Sequence, residues 1–491
     1  MSNLFPISVA VLLLLLMFDT ARAFVTTTSQ YSRVSLAANP DQKKNEIPAD
    51  NLKQKAYPQQ TPHSGRHFRP SHQAYQSTSW LARILPKQKR KRFLEGWYYR
   101  VTLTEHNVSF AFIVSIEDPG LPLSELRLAC IQVVGPEDGY LVQGSRDDTK
   151  FWAWKGHQGL GYTFEYYQEL ATDRTKTAMT PSEWRETVKS GFQILPSRIQ
   201  GRVEGHDARF GNVIENPGQP GSCSFDMAVE PLVGWGGSKT EQQQSTAGWL
   251  ASFAVFEPHW QVTLADARVT GTITWHNKTY EFDNEPFYAE KNWGAAMPTK
   301  WYWTQCNSFH GYQQLSVTAG GGIRKIPFGK EEALGMVSVH YNGTFYEAVP
   351  WTGEMEWEVE KWGKWKLSGR SKTDPENLFE VEYLSTCSTD KRTIIMAPTA
   401  DEGMIPFAND SFEADATLSL WSLEWDEKRK QFVRCNPPII DKAKSFQGAV
   451  EVGGPWSSSW KDTSKMNRVL KKLVRLPYSF RRKFLKRRRS R

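Results

Sequence analysis

Short apolar runs that alternate with polar residues dominate the chain between residues 61 and 456. Clear examples are residues 96–104, 108–116 and 126–134, which Asn, Pro and Gly separate. Period-2 alternation bounded by turn residues predicts β-strands. The same texture continues in residues 249–257, 261–275, 301–307, 315–319, 334–341, 344–349 and 418–425. Only the neighbourhoods 164–172 and 181–190 look helical, so the pattern predicts an all-β fold with minor helices.

The number and spacing of these strands predict antiparallel barrels or sandwiches. The patterned region holds about 395 residues, which is more than one such unit needs. We therefore expect two consecutive β domains, at residues 61–297 and 298–460. The junction is placed after Gly294, where small residues and Pro298 interrupt the strands.

Aromatic residues are unusually frequent, with 20 Trp, 17 Tyr and 26 Phe. Such a content favours β-structure with a deep apolar interior or a large aromatic binding cavity. The five cysteines are far apart, and no pair has CxxC spacing, so neither a disulfide framework nor a zinc site is indicated. No uninterrupted apolar run reaches the roughly 20 residues of a membrane-spanning helix.

Positive charge is concentrated at the C-terminus. Residues 465–491 contain thirteen Lys or Arg and no acidic residue, so the formal net charge of +8 leaves −5 for the rest of the chain. An acidic body argues against nucleic-acid binding. Apolar residues at 466, 469, 470, 473 and 474 predict an amphipathic basic helix in the tail 461–491, of the kind that lies on an anionic membrane surface. Two alternative interpretations of this tail are a segment that only resembles a nuclear-localisation signal and a solvated disordered tail.

The N-terminus has the composition of a targeting sequence. Residues 7–18 are apolar and are followed by Ala21-Arg22-Ala23, which is typical of a signal peptide at residues 1–23. Residues 24–39 are rich in Ser and Thr and lack acidic residues, which is transit-peptide composition, and a polar linker extends to residue 60. The combination resembles the bipartite plastid presequence of algae with secondary plastids. The alternative is a secreted protein.

Common catalytic motifs are absent: the sequence has no GxxxxGK[ST], HExxH or GxSxG, and no GxGxxG that opens a helix. The informative segments place titratable residues inside aromatic clusters. Residues 93–99 carry Glu95, residues 256–261 carry Glu257 and His259, and residues 288–294 carry Glu290. The alternative for each is structural: a carboxylate that binds a loop backbone, or a histidine satisfied within the core.

In a period-2 strand, Tyr288, Glu290 and Asn292 point to one face, and Lys291 and Trp293 to the other. Burying a carboxyl among Tyr and Trp raises its pKa, which makes it a proton donor at neutral pH. Aromatic faces stabilise a nearby cation. An acid in an aromatic lining is what protonating an alkene and shielding the resulting carbocation require.

Ten colinear segments resemble the tocopherol cyclase family: residues 61–65, 93–99, 235–239, 245–250, 255–262, 290–294, 301–307, 318–322, 349–353 and 452–456. The resemblance covers residues 61 to 460. Two features depart from the family, the basic insertion at residues 87–92 and the cationic tail. Both bear on localisation rather than on chemistry.

The resemblance implies a pair of lipocalin-like β-barrels and a cofactor-free cyclisation that involves no metal. The allylic double bond of a methyl- or dimethyl-phytyl-benzoquinol is protonated, and the phenol oxygen attacks the tertiary cation to give δ- or γ-tocopherol. Carotenoid hydratases are related. On this resemblance Glu290 is the proton donor, with Tyr288 and Asn292 orienting it. Glu257 or His259 removes the phenolic proton, and Glu95 is the reserve acid.

The same resemblance assigns the cation path to Trp260 and Trp293, and the remaining aromatic lining to Trp97, Tyr99, Trp249, Trp301 and Trp303. The substrate that the resemblance implies is a lipophilic prenylquinol. A membrane or lipid-droplet surface is therefore expected as partner, at the thylakoid, the envelope or a plastoglobule. Two other functions stay open: a non-catalytic prenylquinol or carotenoid carrier, and a carotenoid hydratase. A secreted adhesion role is more distant. The preferred quinol and the oligomeric state are left open.

Overall fold

The computed structural model describes residues 92–119, 124–137, 139–154, 158–168, 178–205, 221–236, 245–246, 258–295, 297–326, 330–371, 377–466, 468, 471, 472 and 475. The predicted targeting segment and most of the basic tail lie outside these residues. Among the helices that the structure describes, none is both long and apolar enough to cross a membrane.

The first half of the described chain forms an eleven-stranded antiparallel sheet. Its spatial order is β4-β3-β2-β1-β11-β10-β9-β8-β7-β6-β5. The strands are β1 (Leu94–Leu103), β2 (Val108–Glu117), β3 (Leu128–Val134), β4 (Tyr140–Ser145), β5 (Trp152–Ala153), β6 (Leu160–Tyr166), β7 (Val188–Leu195), β8 (Arg198–Glu204), β9 (Ser222–Val233), β10 (His259–Trp275) and β11 (Lys278–Gly294).

The second half forms a twelve-stranded sheet in the order β15-β14-β13-β12-β22-β20-β18-β17-β16-β23, with β19 and β21 paired to β20. The strands are β12 (Lys300–Cys306), β13 (Leu315–Ile326), β14 (Lys330–Tyr341), β15 (Thr344–Ala348), β16 (Gly353–Val359), β17 (Lys364–Ser371), β18 (Phe379–Thr386), β19 (Thr393–Thr399), β20 (Gly403–Asp426), β21 (Gln431–Arg434), β22 (Ile440–Gly453) and β23 (Trp460–Thr463).

Both sheets curl, so the predicted all-β fold of two consecutive antiparallel β units is confirmed. In the first sheet β4 also contacts β8, and in the second β14 contacts β16 and β23. The described helices include α1 (Pro181–Thr187) and a 3-10 turn (Asp148–Lys150). The helical expectation at 164–172 is wrong at its start, because Phe164 lies in β6 and packs into the core. The domain limits at 297/298 stay a prediction.

Each sheet has its first strand paired with a strand from its C-terminal end. β1 pairs with β11, and β12 pairs with β22, all antiparallel. These four seam strands, β1, β11, β12 and β22, lie near the middle of their sheets. One apolar core lies within each curled sheet, and a third contains residues of both sheets, including Tyr98 and Tyr288 from the first and Trp301 and Trp303 from the second. The seam strands therefore meet across this third core.

Polar contacts also join the two sheets at the seam. Arg100 on β1 is fully buried, and its guanidinium donates to Gln305 Oε1 on β12 at 2.7 Å and to the backbone carbonyl of Gln447 on β22. Burial lowers the pKa of Arg100, and neighbouring acidic groups oppose that shift. A buried guanidinium needs such partners, so Arg100 fixes the seam strands against each other.

Candidate active site

A cavity of about 230 Å³ lies in the core between the sheets. Its walls come from strands of both sheets and from the segments that follow β11 and β15. One close approach shapes it: a Cβ added to Gly320 on β13 would lie 3.3 Å from the Trp260 ring on β10. The bare backbone at Gly320 thus leaves room for an indole of the opposite sheet.

Two rows of side chains face this cavity. In the first sheet the register aligns Glu290, Tyr98, Ile113 and Gln132 across β11, β1, β2 and β3. In the second sheet it aligns Asp410, Glu451, Trp303, Gly320 and Met336 across β20, β22, β12, β13 and β14. Residues directly opposite each other on neighbouring strands project to the same face. All of these residues except Asp410 border the cavity.

Glu290 is buried and accepts four hydrogen bonds. Three reach Oε2: from the Tyr288 hydroxyl at 2.6 Å, the Trp260 indole at 2.7 Å and the Trp303 indole at 2.9 Å. The Asn292 amide donates to Oε1 at 3.3 Å. The donors come from β10, β11 and β12, so both sheets hold this carboxyl. As the alternation predicts, Tyr288, Glu290 and Asn292 share one face of β11.

Burial raises the pKa of Glu290, and its four donors oppose the shift by favouring the anion. The net direction is upward, which favours the neutral acid. Oε2 carries three of the donors, and Oε1 carries only the longest bond. The proton of the neutral acid is therefore best placed on Oε1, and the anion left after its transfer keeps all four donors.

The opposite face of β11 carries an ion pair and a stacked histidine. Lys291 Nζ lies 2.8 Å from Glu95 Oε1, with both side chains buried, and 4.8 Å from the centre of the Trp293 ring. His259 stacks on Trp293 with ring centres 4.8 Å apart, as its register partner on β10. His259 borders the cavity. Glu95 and Trp293 do not border it.

The predicted aromatic lining divides between two cores. Trp97, Trp260, Trp301 and Trp303 border the cavity. Tyr99 does not: it packs on Phe287 at 6.4 Å inside the first sheet, and its neighbour Tyr98 takes the cavity position. Tyr98, not Tyr99, is the register partner of Glu290 and projects to the same face of the sheet. Glu257 and Trp249 lie outside the described residues.

Two carboxyls of the second sheet, the half-buried Glu451 and the buried Asp410, were not among the sequence-predicted residues. Glu451 on β22 borders the cavity and accepts a hydrogen bond from the Trp301 indole. Burial raises its pKa to about 7, and the negative charge of Glu290 adds to the shift. Asp410, its register partner on β20, is fully buried, and burial followed by the charge of Glu451 raises its pKa strongly. In the described residues no group of three or more His, Cys, Asp or Glu is arranged to hold a metal ion.

Comparison with known proteins identifies relatives along most of the chain. A family model described as tocopherol cyclase-like matches residues 91–454. The chain is 36% identical over 431 residues to tocopherol cyclase, chloroplastic, of Zea mays, covering 85% of this chain and 83% of that protein. Probable tocopherol cyclase, chloroplastic, of Oryza sativa subsp. japonica is also 36% identical, over 430 residues, with coverages of 84% and 83%.

Solved structures are similar at lower identity. The crystal structure of CghA with Sch210972 is 12% identical, with a TM-score of 0.40, and covers 74% of this chain and 89% of that chain. Kievitone hydratase from Nectria haematococca is 13% identical, with a TM-score of 0.34 and coverages of 81% and 98%.

Proposed function

The chain belongs to the tocopherol cyclase-like family, and from this premise we propose that it is a tocopherol cyclase. It closes the chroman ring of methyl- or dimethyl-phytyl-benzoquinol to give δ- or γ-tocopherol, as an isomerase of the intramolecular lyase type. The observation that carries the proposal is Glu290, a buried carboxyl held by four donors at the wall of an aromatic cavity.

Glu290 is the acid that starts the reaction. Its proton adds to the CH carbon of the allylic double bond, and positive charge develops on the tertiary carbon. Negative charge develops on the carboxyl at the same time, and the donors from Tyr288, Trp260 and Trp303 are already aimed at it. Preorganised donors of this kind stabilise the transition state without reorganisation.

The tertiary cation lies among aromatic rings. Tyr98 and Trp303 contact each other edge to face at 5.2 Å, and Trp260 and Trp301 also border the cavity. A cation over an aromatic face gains about 0.5–2 kcal/mol. The phenol oxygen then attacks the tertiary carbon, the C–O bond closes the ring, and the phenolic proton leaves. Excluding water from this cavity favours internal trapping over hydration.

The remaining wall suits an isoprenoid chain. Five methionines border the cavity: Met297, Met336, Met396, Met404 and Met466. Methionine side chains are flexible and adapt to irregular apolar shapes, so this wall can adapt to a phytyl tail of roughly twenty carbons, which must be buried in an apolar site.

The lipophilic substrate calls for a plastid membrane surface as partner, and the relatives named above are chloroplastic. The start of the basic tail lies beside the cavity, which supports a role of the tail in docking to this membrane. Met466 borders the cavity, and the Arg475 side chain donates to the carbonyl of Trp351, a cavity residue. Arg468, Lys471, Lys472 and Arg475 are helical. A basic helix bound to anionic lipid would hold the cavity close to the dissolved quinol.

A cell-free assay tests this function. The purified full chain receives reduced dimethyl-phytyl-benzoquinol in detergent, with and without a metal chelator. We expect γ-tocopherol in both conditions. Glu290→Gln removes the acid and should lower kcat by about 10²-fold or more. Glu285→Gln is the matched control, because Glu285 is a buried carboxyl of the same strand that accepts a hydrogen bond from Thr104 and does not border the cavity.

Each alternative function predicts a different result. A carrier binds the quinol tightly and yields no chromanol. A hydratase adds water to a linear carotene and ignores the quinol. Chromanol formed equally by wild type and Glu290→Gln would keep the cyclase and remove Glu290 as its acid.

A further inference from the structure

The cyclisation moves two protons, and Glu290 accounts for only one of them. One proton is added to carbon, and another is removed from the phenol oxygen. Of the two bases that the sequence suggests, Glu257 lies outside the described residues. His259 borders the cavity but stacks on Trp293, on the face of β11 opposite to Glu290. The second sheet offers a third candidate for this proton at the same cavity.

Glu451 has the position that this step needs. It is the register partner of Trp303, so the two side chains project to the same face at neighbouring positions. The Trp303 indole donates to Glu290 Oε2 at 2.9 Å. Trp303 thus lies between Glu290 of the first sheet and Glu451 of the second. Both carboxyls border the same cavity.

Only one oxygen of the Glu451 carboxyl accepts a hydrogen bond from the described residues. The Trp301 indole donates to Oε1. Within the described part of the chain, Oε2 accepts no hydrogen bond. A fixed carboxylate with one unused oxygen at a cavity wall is suited to accept a proton from a bound hydroxyl group.

We propose that Glu451 is the catalytic base that takes the phenolic proton. The assignment rests on the proposed cyclase function. Glu290 gives its proton to the alkene carbon, an oxygen lone pair of the phenol forms the C–O bond, and the O–H bond breaks with its proton passing to Glu451. Product release leaves Glu290 ionised and Glu451 protonated, and transfer of that proton back to Glu290 restores the starting state. No oxidant or reductant is needed.

The electrostatics of the pair favour this order. Burial raises the pKa of Glu451 to about 7, so its carboxyl is partly ionised at neutral pH. The negative charge of Glu290 raises that pKa. When Glu290 becomes an anion by protonating the alkene, Glu451 binds a proton more strongly, so the first transfer promotes the second. Asp410 on β20 and Arg100 and Tyr98 on β1 are the other titratable neighbours of this cluster.

The test compares Glu451→Gln in the full chain with a matched control, Glu347→Gln. Glu347 is also a half-buried carboxyl that accepts a hydrogen bond from an indole, that of Trp235, at 2.6 Å, but it does not border the cavity. We expect Glu451→Gln to lower kcat by about 10²-fold with the natural quinol and Glu347→Gln to stay within a few fold of wild type. Glu451→Asp keeps a carboxylate and should retain more activity than the glutamine variant.

A ring-fluorinated quinol separates a base from a structural residue. Fluorine makes the phenol more acidic, so the deficit of Glu451→Gln relative to wild type should shrink at least fivefold, whereas that of Glu290→Gln should not. Equal deficits on both quinols, or Glu451→Gln activity matching Glu347→Gln, would overturn the assignment while leaving the cyclase intact. Failure of the wild type to form chromanol would overturn the proposed function, and the base with it.

Discussion

Tyr288→Phe isolates one hydrogen bond of the proposed acid. Tyr288 is fully buried on β11, and its hydroxyl donates to Glu290 Oε2 at 2.6 Å, the shortest of the four bonds. Phenylalanine keeps the ring, which packs 5.9 Å from Trp303 and 6.4 Å from Tyr98. The substitution therefore removes a donor and leaves the aromatic packing in place.

The size of the effect follows from the charge on the acceptor. A hydrogen bond to a charged group contributes about 1.5–3 kcal/mol, which corresponds to a loss of about 10- to 150-fold in rate. Because the bond is strongest when Glu290 is an anion, the loss should fall on kcat and leave KM nearly unchanged. The variant also has a higher Glu290 pKa than wild type, since the anion has lost a donor.

The assay measures kcat and KM for chromanol formation beside the unfolding temperature of each variant. Tyr280→Phe is the control, because Tyr280 is a buried tyrosine of the same strand that packs on Phe110 at 5.5 Å, away from the cavity. In the Glu290→Gln background, Tyr288→Phe should add little, because coupled residues are non-additive. Tyr288→Phe activity within twofold of Tyr280→Phe would refute the reasoning, as would a loss confined to KM.

Two further predictions concern stability and membrane binding. Burial raises the pKa of Glu347 to about 7 from an ordinary 4.5. The folded wild type therefore keeps this carboxyl protonated up to a higher pH than the unfolded chain does. Its stability falls as the pH rises from about 4.5 to 7. In urea unfolding, Glu347→Gln should escape that loss and gain up to about 3 kcal/mol over wild type across the interval; parallel stability curves would contradict this. Replacing Lys471, Lys472 and the other tail cations with Gln should abolish salt-sensitive binding to anionic vesicles, at about 1 kcal/mol per charge, and unchanged co-sedimentation would remove the tail from the docking surface.

Local alternation was enough to predict much of the fold and part of the site. Strand texture gave the all-β class, and period 2 placed Tyr288, Glu290 and Asn292 on one face of β11. These are properties of a single strand, so a single sequence carries them. The same rule leaves open which face of β1 meets the cavity, because a choice between Tyr98 and Tyr99 depends on the pairing of β1 with β11.

Glu451 shows what alternation cannot reveal. In its strand, Val450 and Val452 point into the core of the second sheet, so the pattern assigns the glutamate to a solvent-facing side. That side is covered only because the first sheet packs on it. The partial burial of Glu451, its raised pKa and its contact with Trp301 all follow from pairings between distant strands. The ion pair of Glu95 with Lys291 could not be predicted from alternation for the same reason, since 196 positions separate the two residues.

The pairing of first with late strands in each sheet has a kinetic consequence. β1 can pair only once β11 has been made, which begins about 180 residues later, and β12 only once β22 has been made, which begins about 140 residues later. Contacts of such sequence separation carry a large loop-closure entropy and slow folding. Both proposed proton-transfer groups lie on the late members, Glu290 on β11 and Glu451 on β22. During synthesis, Glu290 and Glu451 can therefore come together only after β22 has been made.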